Sequence, residues 1–338
     1  MILLKKTAEN GYNGGMQVGV LGLGKMGRLL AEKLMRDNHQ VAVWNRSKGI
    51  LDEMRMTKSE FIINKKLIIA HSIENLYESL LQPRVFWMML PAGMPTEEVF
   101  QSLIELVQPG DIIIDGGNSN FKDTDRRAAV SNQRGIKFLG IGVSGGVHMF
   151  ENGASLMVGG DKDAYEYIRP LLDTLGKPNA THGYFGPGGA GHFVKMVHNG
   201  VEYGMMQALA EGFAVLAKSE YKFNLFDVGH LWQRGSIVRS FLLDMSLNAL
   251  AKDPTLSEPD GRIEATGEAE WTVLTAKETH VPVPVIEKAL EFRQRSQYDK
   301  AIQETVVAKL IAALRKEFGG HAVKKEEANP VPSNIPQQ

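Results

Sequence analysis

The chain has 338 residues, 43% of them hydrophobic, and a formal net charge of −1. That length supports one large or two ordinary domains with real cores, and the near-zero charge removes any global electrostatic case for nucleic acid or an anionic membrane. There is no cysteine, which excludes disulfides, a thiolate nucleophile and cysteine-ligated zinc, and fits a reducing compartment.

The start, MILLKK, sets four apolar residues before two lysines, short of a secretory signal core. No apolar run approaches transmembrane length, so a cytoplasmic location is expected. Residues 1–15 end in Asn13-Gly14-Gly15 and read as a flexible extension. Residues 322–338, rich in lysine, glutamate and proline, read as a disordered tail.

Residues 16–21 are a short β-branched run, followed by Gly22-Leu23-Gly24-Lys25-Met26-Gly27 and an amphipathic run over 26–36. Strand, G-x-G-x-x-G, helix is the dinucleotide-binding pattern. Its glycines permit a tight turn, close approach of a pyrophosphate and tight helix-on-strand packing. The six residues of the motif are therefore expected to line the cofactor. A second strand, 40–44, ends in Asn45-Arg46-Ser47. An NAD-preferring site usually carries an acid there for the ribose 2′-hydroxyl. Arg46 instead suits a 2′-phosphate, which predicts NADP in preference to NAD.

Strand-like runs follow at 67–70, 85–90, 112–115 and 137–141, with helical segments between them, notably 96–107. This alternation predicts a parallel, doubly wound sheet. Ligands bind beyond the carboxyl ends of such strands. Leu90-Pro91-Ala92-Gly93, Asp115-Gly116-Gly117-Asn118-Ser119 and Gly142-Val143-Ser144-Gly145-Gly146 are thus expected at one cleft. Residues 154–159 add another small apolar run, and 163–175 read as a helix. Gly186-Pro187-Gly188-Gly189 marks the expected boundary between a Rossmann-like domain (16–187) and an all-α domain (188–321). The second domain's helices are expected up to about 218 and over 225–234, 237–250, 271–279, 285–295 and 300–318, with the cleft lying between the two domains.

The first of these helices is apolar nearly all round, through Phe193, Met196, Val197, Val201, Met206 and Phe213, and so reads as buried. Inside it, Asn199, Glu202 and Tyr203 fall roughly 40°, −20° and 80° from Lys195 on the helical wheel. Most Lys/Glu helix pairs are solvated faces. Apolar neighbours and a glycine-rich lead-in favour a different reading, a cleft-facing lysine acting as general base or acid with its pKa lowered by desolvation.

Several segments resemble one family, the decarboxylating 6-phosphogluconate dehydrogenases of the shorter bacterial branch. They are Asp115–Ser119, residues 142–146, His192-Phe193-Val194-Lys195-Met196-Val197-His198-Asn199-Gly200 with Glu202-Tyr203, Trp232-Gln233-Arg234-Gly235-Ser236 with Arg239-Ser240, and Arg315-Lys316-Glu317-Phe318-Gly319-Gly320-His321. The resemblance implies that Lys195 takes the proton of the substrate 3-hydroxyl and later polarises the ketone, and that Glu202 protonates carbon 1 of the enediol. It implies that Asn118, Ser144, Gly145, Gly146, His198 and Asn199 hold the sugar acid, and that Tyr203, Arg239, Arg315 and His321 surround its phosphate. Asn45, Arg46, Ser47, Leu90, Pro91, Ala92 and Asn118 join the glycine motif around NADP, and no metal is required. It also implies that the Arg315–His321 segment comes from a second subunit, in a homodimer or tetramer. One departure stands out: before Trp271 the family carries a basic residue, where this chain has Glu270. Two other readings are another β-hydroxyacid dehydrogenase, acting on an acid such as 3-hydroxyisobutyrate, and a nucleotide-sensing module without turnover.

Overall fold

The fold is described from a computed structural model, over residues 15–264 and 267–319. Residues 1–14, 320–338 and His321 with them lie outside the described residues. The chain divides between Asn199 and Gly200 into two compact units.

The first unit is an eight-stranded sheet: β1 (Gln17–Leu21), β2 (Gln40–Trp44), β3 (Leu67–Ile69), β4 (Val85–Met88), β5 (Ile112–Asp115), β6 (Lys137–Ser144), β7 (Ser155–Gly160) and β8 (His182–Gly186). Their spatial order is β3-β2-β1-β4-β5-β6-β7-β8. The helices that connect them are α1 (Lys25–Arg36), α2 (Lys48–Thr57), α3 (Ser59–Ile63), α4 (Ile73–Glu78), α5 (Met94–Ile104), α6 (Phe121–Gln133), α7 (Met149–Asn152) and α8 (Lys162–Gly176). A sheet covered on both faces needs strands that are apolar on both sides. Accordingly Val18, Val20, Leu21, Val41, Val43, Phe86, Trp87, Ile113 and Ile114 are buried. Helix starts carry their own caps: Ser72, Asn120 and Asp161 accept from the backbone of α4, α6 and α8.

The doubly wound expectation is met from β1 to β6, where all neighbours pair in parallel. β7 then extends the sheet antiparallel to β6, with Gly142 opposite Met157 and Ser144 opposite Ser155. That partner lengthens β6, so Gly142, Val143 and Ser144 are strand residues instead of loop. The sequence reading assigned no strand to 182–186, yet β8 pairs in parallel with β7.

Beneath the sheet's carboxyl edge lies a buried ion network. Arg127, on α6, donates to Asp115 Oδ2 at 2.9 Å, and both side chains are 1% exposed. Arg127 Nε also reaches Glu97 Oε2 at 3.1 Å, and Arg126 Nη2 reaches the same oxygen at 2.7 Å. These hydrogen bonds, that of Arg126 foremost, hold the Glu97 carboxyl down to about 2 from an ordinary 4.5. A carboxylate whose folded pKa is depressed stabilises the fold above its unfolded pKa and loses that contribution as pH falls through the folded value. Glu97→Gln should therefore cost about 1–2 kcal/mol at pH 7, after allowance for solvent screening. The difference from the parent should shrink from pH 4.5 downward and vanish near pH 2, as read by denaturant unfolding at each pH. A constant difference across that window would contradict the assignment.

The long helix α9 (Ala190–Ala217) follows β8 and runs into the second unit. There come α10 (Leu225–Gln233), α11 (Phe241–Lys252), α12 (Glu268–Glu278), α13 (Pro284–Ser296), α14 (Lys300–Gln303) and α15 (Val306–Gly319). Their core gathers Met206, Ala210, Phe213, Leu243, Ile263, Ala308, Leu310 and Leu314. Two expected helices differ. The 237–250 segment becomes helical only at Phe241, because Gly235 turns the chain at φ +116° and Ser240 caps the new helix by accepting from Leu243. The 300–318 segment splits into α14 and α15, because the Thr305 hydroxyl accepts from Ala308 N at 3.1 Å and starts a second helix.

Candidate active site

The carboxyl ends of β1, β4, β5 and β6 are neighbours in the sheet, so the loops that follow them adjoin. A Cβ placed on Gly22 would stand 2.5 Å from Met89 O, and one on Gly117 would stand 2.5 Å from Leu90 O. A Cβ on Gly27 would overlap the Gly22 carbonyl. Gly24 is the exception, with nothing within 4 Å of such a Cβ. Two glycines of the motif are thus required by the protein's own packing, while the middle one faces open space. Gly24 also caps α1 with no side-chain bond to the helix amides, and no acid lies in its first turn. Backbone amides at an open helix start suit a pyrophosphate. Lys25 is exposed there and Met26 half-buried. Leu23 is fully buried, and its carbonyl accepts from Arg28 Nε at 2.9 Å.

The Asn45 side chain accepts from Leu23 N at 2.9 Å and ties the motif to the end of β2. Arg46 projects outward, its side chain 81% exposed, with a loose 3.9 Å contact to Glu98. Ser47 begins α2 without capping it through its side chain. Leu90 is half-buried and Pro91, Ala92 and Asn118 are exposed. Asp115 Oδ1 accepts from Gly117 N at 3.1 Å, which shapes the turn that presents Asn118.

Lys195 is held by glycines facing it from the sheet. A Cβ on Gly142 would overlap Lys195 Cβ, and one on Gly191 would overlap the Met157 and Gly140 carbonyls. Helix α9 therefore sits directly on the backbones of β6 and β7. The sequence reading singled out Gly142 only as part of a loop, and Gly140 and Gly159 not at all. Lys195 is 7% exposed and Asn199 8%. Lys195 Nζ donates to Asn199 Oδ1 at 2.7 Å, and His198 Nδ1 stands 3.0 Å from the same oxygen. His198 Nε2 is 3.1 Å from Ser144 Oγ. Nδ1 of the imidazole thus meets the amide oxygen and, at 3.4 Å, the Lys195 amine, while Nε2 meets the serine hydroxyl. Gly145 and Gly146 continue from Ser144 with φ of +143° and +53°, values that favour glycine.

The second unit carries Glu202 and Tyr203. Tyr203 is 4% exposed, and the Arg293 guanidinium lies 3.3 Å from its ring centroid. Burial pushes Arg293 down to about 10, and the charge of Arg315 adds to that. Burial likewise lowers Arg315, against the opposing pull of Tyr203, Glu202, Glu264 and Glu268. Two buried guanidiniums within each other's field, partly offset by carboxylates, form an anion-seeking arrangement. Arg293 was missed by the sequence reading. The available signal was its place among Ala289, Leu290 and Ser296 on the buried face of α13. Arg239, expected at the phosphate, is exposed in the turn before α11. Arg315, on α15, is 6% exposed, and Tyr203 and Glu202 of the same chain pull against the effect of its burial. Trp232 and Gln233, in the same motif as Arg239, have structural duties: Trp232 packs 5.7 Å from Phe213, and Gln233 accepts from Ser240 N at 3.1 Å. Among the described residues no group of three or more His, Cys, Asp or Glu could hold a metal ion, and no helix is long and apolar enough to cross a membrane.

A Rossmann-type sheet with an open glycine turn is the architecture of a nicotinamide-dinucleotide oxidoreductase, and the helical unit that follows it in the chain narrows the class. The chain belongs to the 6-phosphogluconate dehydrogenase family: residues 17–186 match the family's NAD binding domain and 191–321 its C-terminal domain. The Bacillus subtilis (strain 168) protein YqeC, whose name places it provisionally in this family, is 39% identical over 311 residues, covering 92% of this chain and 100% of that one. A Haloferax volcanii NAD(+)-dependent, decarboxylating 6-phosphogluconate dehydrogenase is 34% identical over 313 residues, covering 92% and 100%. The solved Plasmodium falciparum 6-phosphogluconate dehydrogenase, described as apo and with its cofactor NADP+ and its substrate 6-phosphogluconate, superposes with a TM-score of 0.77 at 31% identity, covering 84% of this chain and 63% of that one.

Proposed function

We propose that this chain catalyses the oxidative decarboxylation of 6-phosphogluconate to ribulose 5-phosphate, with NADP preferred over NAD, as a cytoplasmic homodimer. Residues 16–187 form the dinucleotide domain in this reading and 188–321 the helical substrate domain. The observation that carries it is the hydrogen-bonded chain Lys195–Asn199–His198–Ser144, buried at Lys195 and Asn199 and half-buried at His198 and Ser144.

The bound nicotinamide would supply the hydride acceptor. Lys195 removes the proton of the 3-hydroxyl, and a buried amine suits that task because desolvation penalises its charged form. His198 and Ser144, already linked, offer polar atoms to the sugar hydroxyls, and Asn118 stands exposed on the turn after β5. The Lys195 ammonium then polarises the new ketone. The C1–C2 bond breaks, carbon dioxide leaves, and the electron pair stays as an enediol. Glu202, two turns along α9 on the same face, returns a proton to the former C2. Tyr203, Arg293 and Arg315 take the phosphate dianion, a role for which a planar guanidinium is well shaped. The reading moves the phosphate contact from Arg239 to Arg293, and leaves Glu270 without a phosphate role.

For the dimer, α9 turns Phe193, Val197, Val201 and Met205 outward at every fourth position, 37%, 37%, 48% and 43% exposed. A continuous apolar stripe of that kind is a surface for a second copy.

Arg46, with Ser47 and Lys48 beside it, is the basis for the NADP preference. Arg46→Ala should lower kcat/KM for NADP roughly 10–150-fold, the worth of a charged hydrogen bond, and leave NAD within about twofold. An equal fall with both cofactors would remove Arg46 from the 2′-phosphate. The whole reading is tested by steady-state turnover of 6-phosphogluconate, gluconate and 3-hydroxyisobutyrate side by side. The phosphorylated acid should be preferred by at least about 100-fold, since two buried cations would otherwise lack their anion. A preference for 3-hydroxyisobutyrate would replace the proposal with its nearest alternative.

A further inference from the structure

Ser144, Gly145 and Gly146 meet the sugar acid in the reading above, and the chain that continues from them is tied down by the far half of α1. It runs through a short 3-10 turn, Gly146–His148, and then the single turn of α7. Glycines of positive φ stand at both ends: Gly145 and Gly146 at +143° and +53°, and Gly153 at +84°. So short a helix, bounded by the most permissive residues, does not hold its own shape in water. Something outside it must do so.

The hold can be followed carbonyl by carbonyl. Met149 O accepts from Gly153 N at 3.0 Å, and Asn152 O from Asn179 N at 3.0 Å. Ala154 N would close the next helical bond onto Phe150 O. It goes instead to Leu175 O, in the last turn of α8, at 2.8 Å. Phe150 O is thereby left to a side chain, and Lys33 Nζ, near the end of α1, donates to it at 3.1 Å. The Phe150 ring meets the same helix. Arg36 Cζ lies 4.8 Å from its centroid and Lys33 Nζ 5.8 Å, both within cation–π range. Arg36 is steadied by Glu32 at 2.7 Å, one turn back. The neighbouring Met149, 1% exposed, anchors the apolar side of the segment. The ring separates two surface hollows, one against Leu29 and Val147 and the other against Thr174 and Lys177. Those hollows leave room for the segment to shift once the tie is cut. At its upstream end the segment joins the site directly, through Ser144 Oγ at 3.1 Å from His198 Nε2.

We propose that Lys33 is a positioning residue: its bond to the Phe150 carbonyl, reinforced by the Lys33 and Arg36 cations on the ring, fixes the 146–152 segment on α1 and so sets where Ser144, Gly145 and Gly146 stand for the substrate. The inference rests on those three residues meeting the sugar acid, as in the proposed reaction. Cofactor affinity should not depend on this tie, because Lys33 lies about 12 Å along α1 from Lys25 of the glycine turn.

The test uses the full chain with Lys33→Met, which keeps the stem and removes the donor, and Lys33→Arg, which restores a donor. Three quantities are read: amide hydrogen exchange by peptide mass spectrometry, kcat and KM for 6-phosphogluconate, and NADP Kd by fluorescence titration. In the methionine variant, exchange in peptides spanning 146–153 should quicken about tenfold, with peptides of β1 and β4 unchanged. KM should rise about 3- to 10-fold, the worth of one hydrogen bond, with kcat within about threefold and NADP Kd within about twofold. The arginine variant should recover most of both changes. Parental exchange or an unchanged KM in a folded methionine variant, acceleration spread evenly over the first unit, or no recovery with arginine overturns the inference and leaves the reaction assignment standing. Absence of turnover in the parent overturns the reaction assignment. Exchange then decides alone: local acceleration in Lys33→Met supports the anchor, and parental rates reject it. Should Lys33→Met not fold, Phe150→Leu takes its place, removing the ring from both cations. Faster local exchange with a raised KM is then required, and parental values reject the anchor.

Discussion

Lys195→Met should lower kcat for the oxidation of 6-phosphogluconate by at least about 10²–10⁴-fold, the usual contribution of a positioned general base, and by more if the same amine also polarises the ketone. Methionine retains the length and apolar stem of lysine. It should therefore keep the packing on Gly142 that seats residue 195 on the sheet, and lose only the amine that donates to Asn199. The dinucleotide turn, from Gly22 to Gly27, is built from contacts with Met89, Leu90 and Asn45, in which Lys195 takes no part. Cofactor Kd should consequently stay within about threefold of the parent. That split separates a base from a structural lysine. Retained turnover would remove Lys195 from the chemistry, and a parallel collapse of cofactor binding would make its role architectural.

Arg127→Met should lower stability by about 3–5 kcal/mol, because it leaves the Asp115 carboxylate buried with its charge uncompensated. Asp115 is fully buried and, among the described residues, keeps only the Gly117 amide as a hydrogen-bond partner once Arg127 Nη1 is gone. Glu97 retains Arg126, so the cost falls mainly on Asp115. A loss of that size corresponds to a Tm decrease of roughly 6–20 °C for a unit of this size. Replacing both ends, Arg127→Met with Asp115→Asn, removes the stranded charge while the amide oxygen can still accept from Gly117. Much of the loss should return, and the double-variant cycle gives the coupling directly. A single variant melting within 2 °C of the parent would contradict the account. Because Asp115 shapes the turn that carries Asn118, the single variant should also raise KM before it unfolds.

Much of this arrangement could be read from the sequence, for reasons that differ by residue. The glycine turn was legible because its chemistry is local: six consecutive residues, a strand before and a helix after. The Lys195–Asn199 pair was legible because a helix fixes which side chains share a face, and the 2.7 Å bond lies where the spacing puts it. The family resemblance supplied the partners that spacing could not, such as Ser144 beside His198.

What escaped the reading depends on contacts distant in sequence. The reversal at β7 depends on which edge of β6 is free, a property of the folded sheet. Gly140, Gly159 and Gly191 look like ordinary small residues until the helix is seen resting on the strand backbones. Arg293 looks like one more helix-surface cation, and nothing nearby in sequence says that it turns inward toward Tyr203. The motif that holds Arg239 uses its glycine and serine to build a turn between α10 and α11, a role spacing alone does not announce.

The central claim is that one chain both oxidises and decarboxylates its substrate. It is tested most directly with 6-phosphogluconate carrying carbon-13 at C1, followed by NMR while reduced cofactor is measured by absorbance. The account predicts labelled carbon dioxide and bicarbonate appearing mole for mole with reduced cofactor, and both signals lost together in Lys195→Met. Reduced cofactor forming while the label stays in the sugar acid would contradict it.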